Sequence, residues 1–192
     1  VLIKNVLADE HVFNPKLAKI PKRTIKINAA TKDEIQAMLG DGHIQSLVMF
    51  VGSPASGKSS WYNMHLKGMG GNLVHLGMDT FNGTLSKFHK EVEAELKKGK
   101  NVIVDNTNGT SKTREKLVKI ARDTGRDIQI IAVHFTTEKK ICLYQNSIRT
   151  KDVNVCALHE SAICGHNVPA IAIHAYWKHF DPVDINKEDI DV

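Results

Sequence analysis

Four short apolar runs alternate with polar segments along most of the chain. They lie at residues 47–51, 73–76, 102–104 and 128–135, and they are rich in β-branched residues with little polar alternation. Unbroken runs of this length are typical of strands that are covered on both faces. The pattern therefore predicts four buried β-strands.

The segments between these runs carry apolar residues at helical spacing. The two clearest stripes are Leu85, Phe88, Val92 and Leu96, then Leu117, Ile120 and Ala121. Strands that alternate with helices predict an α/β fold, with a mainly parallel sheet and helices on both of its faces. Ligands of such sheets bind beyond the carboxyl ends of the strands.

The length of 192 residues fits one domain with short additions at its ends. We predict an N-terminal extension or linker at 1–45, a main α/β domain at 46–183 and an acidic C-terminal tail at 184–192, which we expect to be frayed. Within the extension, the capping box Thr31-Lys32-Asp33-Glu34 and the later Gly40 predict one short helix.

The charge and the cysteines narrow the class of protein. A net charge of +5 and a pI near 9.1 fit a partner that carries phosphates. Three cysteines without a C-x-x-C pair argue against a disulfide framework or a zinc site, and no apolar segment approaches the roughly 20 residues that cross a bilayer. We expect an intracellular protein of the nucleus or the cytoplasm, with a viral source as an open alternative. A sequence that starts at Val1 suggests a fragment of a longer protein.

The first apolar run leads into Gly52-Ser53-Pro54-Ala55-Ser56-Gly57-Lys58-Ser59, which matches the P-loop pattern G-x-x-x-x-G-K-[ST]. In such a loop the glycines let backbone N–H groups point at phosphate oxygens, the lysine reaches the β- and γ-phosphates, and the serine hydroxyl binds Mg²⁺. The alternative is a glycine-rich turn with a solvated lysine. The predicted nucleotide-binding residues are Gly52, Ser53, Pro54, Ala55, Ser56, Gly57, Lys58, Ser59 and Ser60.

Two further polar clusters follow predicted strands and should meet the P-loop at the same edge. Asp105 follows the run at 102–104, where a carboxylate can lie near P-loop Mg²⁺. Thr107 and Asn108 offer donors and acceptors to the waters of Mg²⁺ or to a substrate phosphate. Asp79 follows the second run and can accept the proton of an attacking hydroxyl. Both aspartates can instead cap the helices that follow them.

In their order, these residues resemble the kinase domain of the polynucleotide kinase family, the 5′-hydroxyl kinases that many eukaryotes and viruses carry beside a 3′-phosphatase. The resemblance covers about residues 46–183. Its landmarks are the P-loop, Asp79-Thr80, Lys98-Gly99-Lys100, Val104-Asp105-Asn106-Thr107-Asn108, Phe135-Thr136, Asn146, Arg149, Val168-Pro169, Tyr176, Lys178, Phe180 and Pro182.

The resemblance implies an enzyme that uses ATP and Mg²⁺ to phosphorylate the 5′-hydroxyl end of DNA or RNA, in end repair or processing. It implies that Asp79 is the general base and that Lys58 and Ser59 bind phosphate and Mg²⁺. Asp105 matches a carboxylate near the metal and the substrate, and Arg149 matches the second lid arginine, which clamps the transferring phosphoryl group. On spacing alone, Arg149 at the end of a predicted helix can equally be solvated.

Other features leave alternatives open. Met78 and Ser147 stand where the family has arginines, and Ala55 replaces a family glycine, so nearby lysines compensate, or phosphate binding weakens, or the substrate differs. The alternatives are a kinase of a small metabolite or nucleoside, and a weakly active nucleotide-binding module that recognises nucleic acid ends. Tyr176 and Phe180 can pack beside adenine or in the core. The sequence lacks the phosphatase motif Asp-x-Asp-x-Thr, so any 3′-phosphatase is expected upstream in a longer protein.

Overall fold

A computed structural model of the chain describes residues 33, 35–37, 39, 44–149, 168–184 and 186–191. Strands and helices alternate from residue 45 to residue 134, and two helices follow among the described residues. In chain order the elements are β1 (Gln45–Val51), α1 (Lys58–His65), β2 (Leu73–Leu76), α2 (Leu85–Lys97), β3 (Asn101–Asp105), α3 (Ser111–Arg122), β4 (Ile128–His134), α4 (Lys139–Ser147) and α5 (Ala170–His179).

The strands of the described chain form one parallel sheet in the order β2-β3-β1-β4. All four predicted strands are confirmed, with bounds that differ from the apolar runs by no more than a residue or two at either end. The chain crosses from one side of β1 to the other when it passes from β3 to β4. A crevice therefore opens beyond the carboxyl end of β1, where the P-loop begins.

Side chains of β1 alternate between two apolar cores, as expected for a strand that is covered on both faces. Leu47, Met49 and Val51 pack with the buried stripes of α2 and α3, while Val48 and Phe50 face α1. On the α1 face, the ring of Trp61 meets the ring of Phe50 edge to face, with the centroids 5.7 Å apart. The predicted layered α/β architecture is confirmed.

A short helical segment precedes the sheet, as the capping pattern predicted. Residues 33, 35–37 and 39 are helical, and Ile35 and Leu39 are buried in the core on the α1 face. The side-chain amide of Gln36 donates to the carbonyl of His65 at 2.7 Å. Of the predicted extension, residues 44 and 45 are also described, and Gln45 already belongs to β1. The other residues of the extension, including Thr31 and Gly40, lie outside the described residues.

The C-terminal residues 186–191 are packed against the domain, so the prediction of a frayed end is wrong. Ile190 is buried in the core with α2 and α3. The backbone N–H of Asp191 donates to the carbonyl of Ile130 at 2.9 Å, and its carboxylate accepts from the N–H of Ile130 at 2.7 Å. The segment thereby covers the outer edge of β4. Within the described chain, every helix is too short or too polar to span a bilayer.

Candidate active site

The three predicted polar clusters meet in one cavity of about 360 Å³ beyond the carboxyl ends of β1, β2 and β3. Its walls come from the P-loop, from the segments that follow β2 and β3, from the first turns of α2 and α3, and from Arg149 beyond the end of α4. The lining residues that enter the argument below are Ala55, Lys58, Ser59, Met78, Asp79, Leu85, Asp105, Asn106, Thr107, Asn108, Thr113 and Arg149.

Lys58 is folded into the loop that surrounds it. Its Nζ donates to the carbonyls of Gly52 at 2.9 Å and Ser53 at 2.8 Å. Burial lowers the pKa of Lys58 to about 8, although the nearby carboxylate of Asp105 opposes that shift. An ammonium held by weak carbonyl acceptors in a desolvated loop is placed to exchange them for phosphate oxygens.

The P-loop backbone makes two strict conformational demands. A Cβ on Gly52 would lie 2.7 Å from Oγ of Ser56 and 2.9 Å from Cβ of Phe135, so no side chain fits there. Gly57 has φ 95 and forms the N-cap of α1, and it lines the cavity together with the first two residues of that helix. Ala55 has φ 62, in the left-handed region that favours glycine, so the departure from the family pattern at this residue carries backbone strain.

Ser59 and Asp105 form a pair of oxygen ligands at the edge of the cavity. The Ser59 hydroxyl donates to Oδ2 of Asp105 at 2.6 Å, and Nε2 of His75 lies 3.1 Å from the same oxygen. Burial raises the pKa of Asp105, but the bonds from His75 and Ser59 and the charge of Lys58 outweigh it and leave the pKa below its usual value. Asp105 is therefore an ionised carboxylate at neutral pH.

This donor set fits Mg²⁺. Magnesium prefers hard oxygen ligands and is commonly held by one or two carboxylates together with substrate phosphates and water. Among the described residues, no group of three or more His, Cys, Asp or Glu is arranged to hold a metal without a substrate. A single carboxylate beside a P-loop serine matches a metal that arrives with a nucleotide.

His75 is a site residue that sequence reasoning missed. It lies on β2, and its ring stacks on the ring of Tyr62 from α1, with centroids 3.7 Å apart and planes 7° apart. The available signal was one polar residue inside the apolar run Leu73-Val74-His75-Leu76. Its contact with Asp105 depends on the pairing of β2 with β3, which spacing along the chain does not reveal.

Asp79 lies beyond the end of β2 and its side chain is exposed in the cavity wall. It does not cap the following helix, because Thr84 caps α2 by accepting from the N–H of Lys87 at 3.3 Å. The backbone of the preceding residue is held in place, since the N–H of Met78 donates to Oδ1 of Asn106 at 2.8 Å. A carboxylate in this position can accept a proton from a group bound in the cavity.

Arg149 lines the same cavity and lies two residues beyond the end of α4. Burial lowers the pKa of Arg149, while the carboxylates of Asp79 and Asp105 act in the other direction. The cavity therefore brings together two cationic and two anionic side chains. Ser147, where the family has its first lid arginine, is exposed, and its hydroxyl donates to the carbonyl of Tyr144 at 2.7 Å.

The strand end after β3 braces the site. The carbonyl of Thr107 accepts from the N–H of Gly52 at 3.0 Å, while its side chain is exposed. Asn108 is buried with φ 42, and its Nδ2 donates to the carbonyl of Phe50 at 2.8 Å. Both residues line the cavity, but the amide of Asn108 bonds to the backbone of β1. Their contact with a substrate stays a prediction.

The aromatic pair near the C-terminus packs within the fold. The Phe180 ring stacks on His134 with centroids 5.1 Å apart, and the Tyr176 ring lies so close to Gly109 that a Cβ there would meet it at 2.7 Å. Phe180 also packs against the core on the α2 and α3 face. The core-packing alternative is confirmed for Phe180, and a contact with adenine stays a prediction.

Comparison with known proteins points to one group of enzymes. The family described as AAA domain matches residues 82–163. A bifunctional polynucleotide phosphatase/kinase of Schizosaccharomyces pombe is 32% identical over 105 residues, which cover 55% of this chain and 24% of that protein. A putative bifunctional polynucleotide phosphatase/kinase of Acanthamoeba polyphaga mimivirus is 29% identical over a match of the same extent. The chain thus matches about a quarter of the length of these curated relatives.

Two solved structures share the fold. One is the structure of the Pnkp1/Rnl/Hen1 RNA repair complex, with a TM-score of 0.52 and 22% identity over 71% of this chain and 44% of the other. The second is a fungal RNA kinase, with a TM-score of 0.51 and 15% identity over 74% of this chain and 35% of the other. These comparisons confirm the resemblance predicted from the sequence: the chain is similar to the polynucleotide phosphatase/kinases and has an α/β P-loop fold.

Proposed function

We propose that this chain is an ATP-dependent kinase that transfers the γ-phosphate to the 5′-hydroxyl end of DNA or RNA. One observation carries the proposal: Lys58, the Ser59–Asp105 pair, Asp79 and Arg149 line a single cavity at the carboxyl edge of the sheet. Phosphoryl transfer depends on positioning and on neutralising charge around the transferred group, and these side chains supply both.

Each side chain has a separate task in this mechanism. The P-loop amides and Lys58 bind the phosphates of ATP, and Lys58 exchanges its carbonyl partners for phosphate oxygens. Ser59 and Asp105 would hold Mg²⁺, which supplies positive charge to the β- and γ-phosphates when it is bound. Asp79 accepts the proton of the 5′-hydroxyl as the hydroxyl oxygen bonds to the γ-phosphorus, and the bond from that phosphorus to the β–γ bridging oxygen breaks and releases ADP. Arg149 stabilises the charge that develops on the transferring group.

The substrate and the cellular setting follow from the same reasoning. The net charge of +5 favours a phosphate-rich acceptor strand over a neutral metabolite. The relatives are named as bifunctional phosphatase/kinases and are much longer than the matched segment. We therefore propose that a 3′-phosphatase or another end-processing domain accompanies this domain in the full-length protein, which acts inside the cell.

The direct test is transfer of labelled γ-phosphate from ATP to an oligonucleotide with a 5′-hydroxyl. Asp79→Asn should lower the turnover by about 10²–10⁴-fold, because it removes the base but keeps the shape. Asp127→Asn at the opposite edge of the sheet changes charge equally and should leave turnover unchanged. Undiminished transfer by Asp79→Asn would remove the proposed base. Transfer to nucleosides with no gain from longer strands would favour the small-metabolite kinase.

One observation favours a second candidate, a nucleotide-binding module that recognises nucleic acid ends without efficient transfer. The positions of two family arginines hold Met78 and Ser147, and the Ser147 hydroxyl is bonded back to its own helix. Losing a positioned donor from a phosphoryl-transfer site costs about 10²–10³-fold in rate. This candidate predicts binding of ATP and of 5′ ends with no measurable transfer in the same assay.

A further inference from the structure

The C-terminal segment, residues 181–184 and 186–191, holds both ends of α3. At the first turn, the carboxylate of Asp181 accepts from the N–H and the hydroxyl of Ser111 at 3.0 and 3.2 Å. At the last turn, the carboxylate of Asp189 accepts from Nε of Arg122 at 2.8 Å. Each contact ends on a carboxylate, but the first is made to a neutral N–H and hydroxyl at the cavity edge of the sheet, whereas the second is an ion pair at the far end of the helix.

A buried ion pair strengthens the contact near the cavity. Arg114 has no exposed surface, and it donates through Nε and Nη2 to the two carboxylate oxygens of Glu188 at 2.6 and 2.7 Å. Its Nη1 donates to the carbonyl of Asn108 at 3.0 Å. A bidentate pair in a dry environment has a well-defined geometry, because leaving either charge unpaired there is costly. Glu188 therefore fixes Asn108 through Arg114.

The strand-end segment 105–108 passes this restraint to the rest of the site. Oδ1 of Asn106 accepts from the N–H of Met78, the residue before Asp79. The carbonyl of Thr107 accepts from the N–H of Gly52. The backbone N–H of Asp181 also donates to the carbonyl of Gly109 at 2.9 Å. The wall formed by residues 106–113 is thus held at one end by the strands and at the other by the C-terminal segment.

We propose that Asp181 and Glu188 are positioning residues that set the acceptor-facing wall of the cavity, residues 106–113, so that these two carboxylates support catalysis from the C-terminal segment. This inference rests on the proposed kinase function. Both carboxylates act through Ser111 and Arg114. A displacement of about 1 Å between reacting groups can cost about a hundredfold in rate, so the orientation of this wall matters for the bound 5′ end.

The P-loop should respond less than the acceptor wall. Lys58 bonds to carbonyls within the loop itself, and the Thr137 hydroxyl after β4 donates to the carbonyl of Ser56 at 3.0 Å. The loop therefore has supports that do not involve the C-terminal segment. Loss of Asp181 should weaken use of the acceptor strand while ATP binding is retained.

The experiment compares Asp181→Ala with Asp189→Ala in the full chain. Asp181→Ala is expected to lower kcat/KM for a 5′-hydroxyl oligonucleotide about tenfold, with an unchanged Kd for ATP. Asp189→Ala removes a carboxylate that bonds to the last turn of α3, away from the cavity, and should leave both constants unchanged. Asp181→Asn keeps an acceptor oxygen and should recover most of the loss. Equal effects of the two alanine variants on kcat/KM would overturn the proposal. So would a loss of ATP affinity in Asp181→Ala as large as its loss of kcat/KM.

Hydrogen exchange separates this proposal from the proposed function. The Ser111 amide, bonded to Asp181, should exchange at least tenfold faster in Asp181→Ala and at the wild-type rate in Asp189→Ala. Glu188→Gln should likewise speed exchange at residues 109–113 under conditions where the chain is folded. If the wild-type protein transfers no phosphate, the kinase function is refuted but the positioning role is not. Wild-type exchange at Ser111 in Asp181→Ala would refute the positioning role, whatever the activity.

Discussion

The hydroxyl of Ser59 donates to Oδ2 of Asp105 across 2.6 Å, although the two residues are 46 positions apart in the chain. The bond joins the first turn of α1 to the end of β3, and it exists because β1 and β3 are parallel neighbours. It also means that both proposed metal ligands are placed before a nucleotide arrives. Preorganised ligands lower the cost of assembling the metal–nucleotide site.

His75 is expected to orient the Asp105 carboxylate for Mg²⁺, because it bonds to the same oxygen as Ser59. Groups that orient a metal ligand typically contribute 10–100-fold to metal affinity. His75→Ala should therefore raise the half-saturating Mg²⁺ concentration about tenfold. The measurement is a Mg²⁺ titration of phosphate transfer, together with the Mg²⁺-dependent rise in Tm in the presence of a non-hydrolysable ATP analogue.

The matched control for His75 is Tyr62→Leu, which removes the stacked ring but keeps the bond from His75 to Asp105. It should lower Tm with a near-normal Mg²⁺ requirement. If His75→Ala has the same Mg²⁺ requirement as the wild type, then His75 has only a packing role.

Lys58 should take up a proton when ATP binds at alkaline pH. Its pKa of about 8 in the folded chain leaves a large neutral fraction at pH 8.5, and triphosphate charge raises the pKa of a lysine beside it. Calorimetry at pH 8.5 in buffers of different ionisation enthalpy should show net proton uptake on binding. At pH 6.5, where Lys58 is already protonated, the contribution of this residue should vanish.

The same pKa gives a stability prediction with a definite sign. Lysine in the unfolded chain has a pKa of 10.5, so between about pH 8 and 10.5 the unfolded state binds more protons at this position than the folded state. The contribution of Lys58 to the free energy of unfolding therefore rises with pH across that window. Urea titrations should show this rise in the wild type relative to Lys58→Met. A parallel pH dependence in the two proteins would contradict the lowered pKa.

Ala55 offers a test of the strain in the P-loop. An alanine in the left-handed region costs about 1–2 kcal/mol, and a glycine avoids this cost. The greater conformational entropy of glycine in the unfolded chain cancels roughly 0.4–1 kcal/mol of that gain. Ala55→Gly should therefore raise the free energy of unfolding by about 0.5–1 kcal/mol. Ala175→Gly on exposed α5 is the matched control, with an expected loss of about 1 kcal/mol. Destabilisation by both changes would mean that φ at residue 55 is not strained.

The sequence predicted those features that depend on local periodicity. The four strands and the P-loop follow from short apolar runs and from glycines whose backbone conformation only a few residues adopt. Local pattern did not indicate the degree of burial of two residues, Leu85 and Ile190. Leu85 continues the stripe of α2 but is 55% exposed, because the first turn of the helix extends beyond the sheet into the cavity wall. Ile190 lies in an acidic segment but is buried.

The missed site features all depend on distant parts of the chain. Arg114 and Glu188 are separated by 74 positions, and each looks like a solvated charge in its own segment. A buried ion pair has no local pattern, because the fold alone brings its two members into a dry environment. The same holds for His75 and Asp105. Spacing located the chemistry at one sheet edge, while the bonds that orient it required the three-dimensional structure.

Gly52 provides the sharpest test of the P-loop geometry. A Cβ at this position would clash with Oγ of Ser56 and with Cβ of Phe135, which belongs to the rigid core. The Ser56 side chain can move, but the backbone and Cβ of Phe135 cannot do so without shifting β4. Gly52→Ala should lower the free energy of unfolding by about 1–3 kcal/mol, and it should abolish ATP binding because the loop can no longer close around Lys58.

Gly71→Ala is the control for this substitution, because nothing lies within 4 Å of a Cβ at that position. It should change the free energy of unfolding by no more than about 0.5 kcal/mol and leave the Kd for ATP unchanged. Isothermal titration with ATP and urea unfolding of both variants measure the two effects. If Gly52→Ala binds ATP as the wild type does, then the loop tolerates a side chain beside Phe135, and the close approach of backbone to phosphate is not what this glycine provides.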